Sequence, residues 1–195
     1  MVKGRRMKDQ LRTMSMTPEE RSCLESLDAA VRSQEVREQV RPITERVRAE
    51  LAANQKALMA WERIPLNVFG RALPQAIRSA WVFILRTGAE TGAERHPNSH
   101  QRMMSFEESG DMKTGEPADW QPNILVSDSE ALLEHRWISI PPNTWHCPVV
   151  GAGADWAVVS FHTVTAQELI EEKPDDSRKG GTKQMRYMSE GRTEK

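Results

Sequence analysis

Residues 88–102 read Gly88-Ala89-Glu90-Thr91-Gly92-Ala93-Glu94-Arg95-His96-Pro97-Asn98-Ser99-His100-Gln101-Arg102. Glu94, His96, Asn98, His100 and Arg102 fall on alternate positions, so an extended chain puts them on one face of a strand. Pro97 takes one donor out of a hydrogen-bonded ladder, which suits an edge strand or a bulge. Such a row is costly in a core unless something satisfies it. Two readings stand open here. The row is the wet side of a sheet, or it holds a divalent ion, for which carboxylate oxygen and imidazole nitrogen are suitable ligands.

Outward from this stretch the chain reads as strands. Ser79–Leu85 is β-branched and aromatic, and further strand candidates are Gln101–Phe106, Asn123–Val126, His135–Ile140 and Trp156–Thr165. They are short, with Gly, Pro, Asn and Asp between them, which predicts an all-β sandwich or barrel. Upstream the period changes. Thr17-Pro18-Glu19-Glu20 is a helix start, with Thr17 as N-cap, Pro18 in the first turn and Glu20 closing a capping box. Leu24, Leu27, Val31, Val36 and Val40 recur at helical spacing, and Pro42 opens a second helix whose stripe of Ile43, Val47, Leu51 and Leu58 ends near Trp61. The expected organisation is a disordered basic lead-in over 1–16, a helical extension over 17–62, a β-domain over 63–172 and a polar tail over 173–195 that is mobile or wraps a neighbouring surface.

Composition narrows the function. The 195 residues carry 27 Lys+Arg against 28 Asp+Glu, a net charge of -1, so no global basic field draws in nucleic acid. Residues 1–60 hold 12 basic and 9 acidic residues with no clear recognition helix. No apolar run approaches the roughly 20 residues of a membrane span, and the charged first residues lack the apolar core of a secretory signal. Two cysteines, Cys23 and Cys147, make no framework, so a reducing cytoplasmic location is expected. All five histidines lie between Trp81 and His162, a segment with 11 acidic and 5 basic residues. The chemistry is expected there.

A second stretch, Ile138-Ser139-Ile140-Pro141-Pro142-Asn143-Thr144-Trp145-His146, is a strand that ends in a proline turn and delivers a histidine just past it. Asn143 suits the left-handed conformation that such a turn requires. With both stretches in view, the sequence resembles the cupin superfamily, whose barrels bind a metal through two motifs. The first runs Gly, five residues, His-x-His, three or four residues, Glu. Gly88 is followed after five residues by Glu94-x-His96 and, after three more, by His100, so the spacing fits with the residue types permuted. The second, Pro-x-Gly-x-x-His, is matched by Pro141-x-Asn143-x-x-His146. The likeness covers residues 77–165. It departs from the pattern where Gly110 is the nearest candidate for a later glycine and Val150 stands in place of a final Asn. A register on His96, Asn98 and Arg102 leaves a poorer site.

The resemblance implies a mainly β protein, a double-stranded β-helix or jelly-roll barrel, with two N-terminal α-helices. It implies one divalent metal held by Glu94, His96, His100 and His146, with Fe(II) favoured over Zn, Mn, Ni or Cu. The leading expectation is a mononuclear non-haem iron dioxygenase-like oxidoreductase acting on a small organic molecule, with Arg102 or His162 holding the substrate. A metal-dependent isomerase or lyase is the first alternative, and a non-catalytic small-molecule-binding or sensor protein the second. His162 reads equally as a hydrogen-bonded structural histidine, and Arg102 as half of a salt bridge. His135 is expected at the surface, Cys147 as a buried inert thiol, and Trp137, Trp145 and Trp156 as core or pocket wall. The amphipathic helices suggest a homodimer. No nucleic acid or membrane partner is expected.

Overall fold

A computed structural model describes residues 16–71, 73–175, 177 and 180–186. The expected disorder of the lead-in therefore concerns residues that, save Met16, lie outside those described. Helix α1 spans Pro18–Arg32 and helix α2 spans Gln34–Ala53. Thr17 accepts from the Glu20 backbone N–H at 3.2 Å, as a capping box requires, but the Glu20 carboxylate does not reach back and is used elsewhere. Helix α2 starts eight residues before the expected Pro42, because Ser33 caps it by accepting from Val36 N at 3.3 Å. Pro42 sits inside the helix, where its missing N–H costs one backbone bond. The buried row Val36, Val40, Ile43, Val47 and Leu51 offsets that loss.

Eleven strands follow: β1 Met59–Ile64, β2 Ser79–Leu85, β3 Gln101–Glu107, β4 Ser109–Glu116, β5 Asp119–Gln121, β6 Ile124–Val126, β7 Trp137–Ile140, β8 His146–Val149, β9 Trp156–His162, β10 Ile170–Asp175 and β11 Gly181–Arg186. A single helical turn, α3 Leu133–Arg136, precedes β7. Strand β1 corrects the expected division at residue 62. Asn54 caps α2, and Met59–Ile64 pair antiparallel with β2 rather than continuing the helical stripe, with Leu58 48% exposed. The strands form two antiparallel sheets and a separate two-stranded ribbon, β10–β11. The first has the order β1-β2-β9-β3-β7. In the second, β4 pairs with β5, β6 and β8, and single bridges Glu94↔His146 and Arg95↔Glu172 carry the pairing on to the β10–β11 ribbon. Part of the expected polar tail is therefore a sheet edge next to residues 94–95.

Strands β2 and β9 are buried on both faces, which explains their nearly continuous apolar reading. Outward, Ala80, Val82, Ile84, Met104, Val159 and Phe161 pack in one core with Leu24, Leu27, Val31, Val40 and Leu51 of the helices. The helices are thus built onto the sheet and bury its outer face. Inward, Leu85, Met103, Met112, Leu125, Ile140, Trp156 and Val158 fill the space between the sheets. Gly110 is needed there: a Cβ on it would meet Trp156 Cε3 at 2.2 Å. The Trp156 indole N–H donates to Ser105 Oγ at 2.9 Å, so the ring cannot readily retreat. No described helix is long and apolar enough to cross a membrane.

Candidate metal centre

Register decides which side chains meet between the sheets, because directly paired antiparallel residues share a face. At one end of the first sheet the inward row is Ser79, His162, Gln101 and Ile140, and the next is Arg63, Trp81, Ser160, Met103 and Ile138. From the second sheet, β8 brings His146, and the bridged segment beside it brings Glu94 and then His96. Asn143 makes this possible by turning at φ 64° and donating its N–H to the His96 carbonyl at 3.1 Å. That expectation from the sequence is met.

Glu94, His96 and His146 place ligand atoms within 4.8 Å of one another. His96 is 5% and His146 1% exposed. His96 Nδ1 donates to the Ile170 carbonyl at 3.0 Å and His146 Nδ1 to the Thr144 carbonyl at 3.2 Å. A carbonyl only accepts, so both rings carry a proton on Nδ1, and a neutral ring then offers its lone pair at Nε2. His146 Nε2 lies 3.5 Å from Glu94 Oε1 and, although buried, makes no hydrogen bond. A buried unpaired nitrogen costs free energy unless something outside the chain satisfies it, and a cation does so. The two imidazoles and one carboxylate fit a divalent ion in both chemistry and placement.

The structure does not bring His100 or Arg102 to this cluster. Pro97 and Asn98 form a turn, so the alternation assumed from 94 to 102 breaks there and the parity shifts by one. His100 Nε2 lies 2.7 Å from Ser139 Oγ, and Arg102 donates from Nε and Nη2 to the Glu20 carboxylate of α1 at 2.7 Å each. Burial would raise the Glu20 pKa, but bonds from Arg102 and Ser139 hold it below the usual carboxylate range. Both residues belong to a polar seam that locks α1 to the sheet. Asn98 is structural too, donating to the Glu168 carbonyl at 2.7 Å and accepting from Ile170 N at 3.1 Å.

The shift in parity aims Gln101 inward, and sequence reading missed it. The signal was present: the motif spacing allows four residues after His96, and four lands on Gln101. Its Nε2 donates to Ser160 Oγ at 3.1 Å, and its buried Oε1 has no partner. Ser160 Oγ also lies 3.3 Å from His162 Nε2, and His162 Nδ1 lies 3.1 Å from Ser99 Oγ. These bonds fix the Gln101 amide and leave its buried oxygen without a hydrogen bond. His162 itself is inside, its ring centroid 5.1 Å from that of His96, with both nitrogens engaged by hydroxyls. It is a neighbour of the cluster, not a further donor.

The electrostatics disfavour the charged forms of His96 and His162. Burial, with His146 acting in the same direction, lowers the His96 pKa from 6.5 to about 4 although Glu94 opposes it. Burial, then His96 and His146, pushes His162 well below its ordinary value. Burial would raise Glu94, yet His146, His96 and Lys173 together hold it low. The His96 shift sets a sign. Between pH 6.5 and about 4 the unfolded chain binds this proton and the fold does not, so stability present above pH 6.5 is lost as the pH falls to about 4. Denaturant titrations of metal-free protein are expected to lose on the order of 3 kcal/mol through this one group. A midpoint that stays flat across that window contradicts the burial of a neutral His96.

The remaining candidates fall in place around the centre. His135 is exposed, and Cys147 is buried with its pKa raised by burial, both as expected. Trp137 faces the helices, Trp156 fills the inner core and Trp145 lies under the Arg95 guanidinium at 4.5 Å. Trp61, Trp81 and Phe83 are further aromatic side chains on the inward face of the first sheet.

No family model and no curated protein matches the chain. Among solved structures it is similar to a Bacillus halodurans protein at 19% identity and a TM-score of 0.38, covering 45% of this chain and 62% of that one. It is also similar to an oxalate oxidase in complex with the substrate analogue glycolate, at 10% identity and a TM-score of 0.42, covering 57% and 54%. The coconut allergen cocosin is similar at 13% identity and 0.43, covering 59% and 28%. The matches span less than two thirds of each of these proteins' own length. On its own strand order and register, the chain has a mainly β, jelly-roll fold of antiparallel sheets with two N-terminal helices.

Proposed function

We propose that the protein binds one divalent metal through Glu94, His96, His146 and Gln101 Oε1 and acts on a small organic molecule as a mononuclear non-haem iron dioxygenase-like oxidoreductase. The observation that carries the metal is the buried, unpartnered His146 Nε2 facing Glu94, with Gln101 Oε1 unpartnered as well. The preference for iron rests on the donor set: two histidines and one carboxylate suit Fe(II) oxygenase sites. Iron bound there supplies Lewis acidity and the electrons for dioxygen chemistry. The chain's own residues do the rest. Ile170 and Thr144 orient the two imidazoles, Ser160 orients the Gln101 amide, and the apolar interior limits the access of water.

A metal-dependent isomerase or lyase is the second reading, favoured by one observation. His162 sits beside the cluster between two hydroxyls, where it can hold and pass a proton. One experiment separates the two. Untagged protein is loaded anaerobically with Fe(II), its iron content is measured, and oxygen uptake is followed across catechols, thiols and β-diketones. The oxygenase reading expects one iron per chain and uptake with one substrate class. Conversion without oxygen consumption favours the isomerase or lyase, and bound iron with no turnover of any class favours a sensor.

A further inference from the structure

We infer that Lys173 is the anion-holding residue of the proposed metal site, and that the molecule taken there is a small chelating anion of the carboxylate class. This rests on the metal reading above and goes beyond it to charge. Lys173 and Glu171 occupy alternate positions of β10, and both reach the cluster's side of the ribbon. Lys173 Nζ lies 3.1 Å from Glu171 Oε1 and 3.9 Å from Glu94 Oε2. Depth orders the three groups: the Glu171 side chain is 4% exposed, Glu94 14% and Lys173 43%. The ammonium is therefore anchored from below and presented towards solvent next to a ligand carboxylate.

The charge of the loaded site follows. Lys173 balances Glu171, and a divalent ion exceeds the single charge of Glu94, since imidazole and amide donors are neutral. A surplus of positive charge at the loaded site would select an anion over a neutral molecule of the same shape. Arg102, the cation expected to do this from the sequence, is committed to Glu20 on the opposite face of the sheet. Lys173 lies in the segment expected to be a tail, and the bridge of Glu172 to Arg95, with the bonds of His96 and Asn98 to Ile170, brings it here.

The test uses full-length protein loaded with cobalt(II), whose visible bands report on the ion's surroundings. Cobalt content is measured first, and lactate and lactamide, alike in shape and different in charge, are then titrated. In wild type, lactate is expected to perturb the bands at a concentration at least about tenfold lower than lactamide. Lys173→Met should keep one cobalt per chain and lose that preference, and Lys173→Arg should keep most of it. A purely structural role for Lys173 would move both probes together. Equal affinities in wild type, or a preference that Lys173→Met retains, overturns the inference. Failure of wild type to take up cobalt is visible before any probe is added; it sinks the metal reading, and this inference with it.

Discussion

His146→Ala is expected to abolish stoichiometric metal binding, whereas His100→Ala is expected to leave it intact. His146 is 1% exposed and points a lone pair at Glu94 and His96. His100 lies on the other face of the first sheet against Ser139. Losing a partner that merely orients a ligand costs about 10–100-fold in metal affinity, so deleting a donor should exceed the upper end of that range. Because His146 is buried, its replacement leaves a cavity as well as a missing donor. Glu94→Gln removes the only carboxylate of the set at constant shape, and it should lose metal without loss of fold. Inductively coupled plasma analysis of the variants, each with a thermal melt, reads both effects. Loss of metal from His100→Ala with retention in His146→Ala would reverse the assignment.

The largest effect on stability is expected from Asp28→Ala. Asp28 of α1 pairs with Arg136 Nη1 and accepts from the Trp137 indole N–H at 2.8 Å. Asp28 is 8% and Arg136 7% exposed. Removing the carboxylate leaves a buried guanidinium without its counter-charge and an indole N–H without its acceptor. Breaking a buried pair in this way costs about 3–5 kcal/mol, a large share of the 5–15 kcal/mol that holds a typical domain together. Asp28→Asn retains an acceptor for Trp137 and should cost less. Urea denaturation measures both. A loss under about 1 kcal/mol for the alanine variant would mean that the helices are not docked through this pair.

The relation between sequence and site turns on one turn. Alternation placed Glu94, His96, His100 and Arg102 on a single strand face, and it holds from Glu94 to His96. It fails at Pro97 and Asn98, where the chain bends, so His100 and Arg102 face α1 and Gln101 faces the cluster. Periodicity cannot register a change of parity inside a loop. His146 was legible because a proline turn and Asn143 fix its position locally. The β10–β11 ribbon was not, since Glu171, Glu172 and Lys173 carry no apolar alternation. Its pairing rests on long-range contacts such as Arg95 to Glu172 at 2.7 Å. Helix α2 was misplaced because Pro42 outweighed the cap at Ser33 in a local reading. Strands β2 and β9 were readable throughout, because both of their faces are buried and their residues are correspondingly apolar.

The central claim is that one metal ion sits between the two sheets at Glu94, His96 and His146, where His146 Nε2 is buried without a hydrogen bond. Anomalous diffraction from crystals of iron-loaded protein, collected on either side of the iron edge, tests it most directly. The account predicts a single difference peak within coordination distance of Glu94, His96, His146 and Gln101 Oε1, and none beside His100. A peak between His100 and Glu20, or fully loaded crystals with no peak among Glu94, His96 and His146, would contradict it.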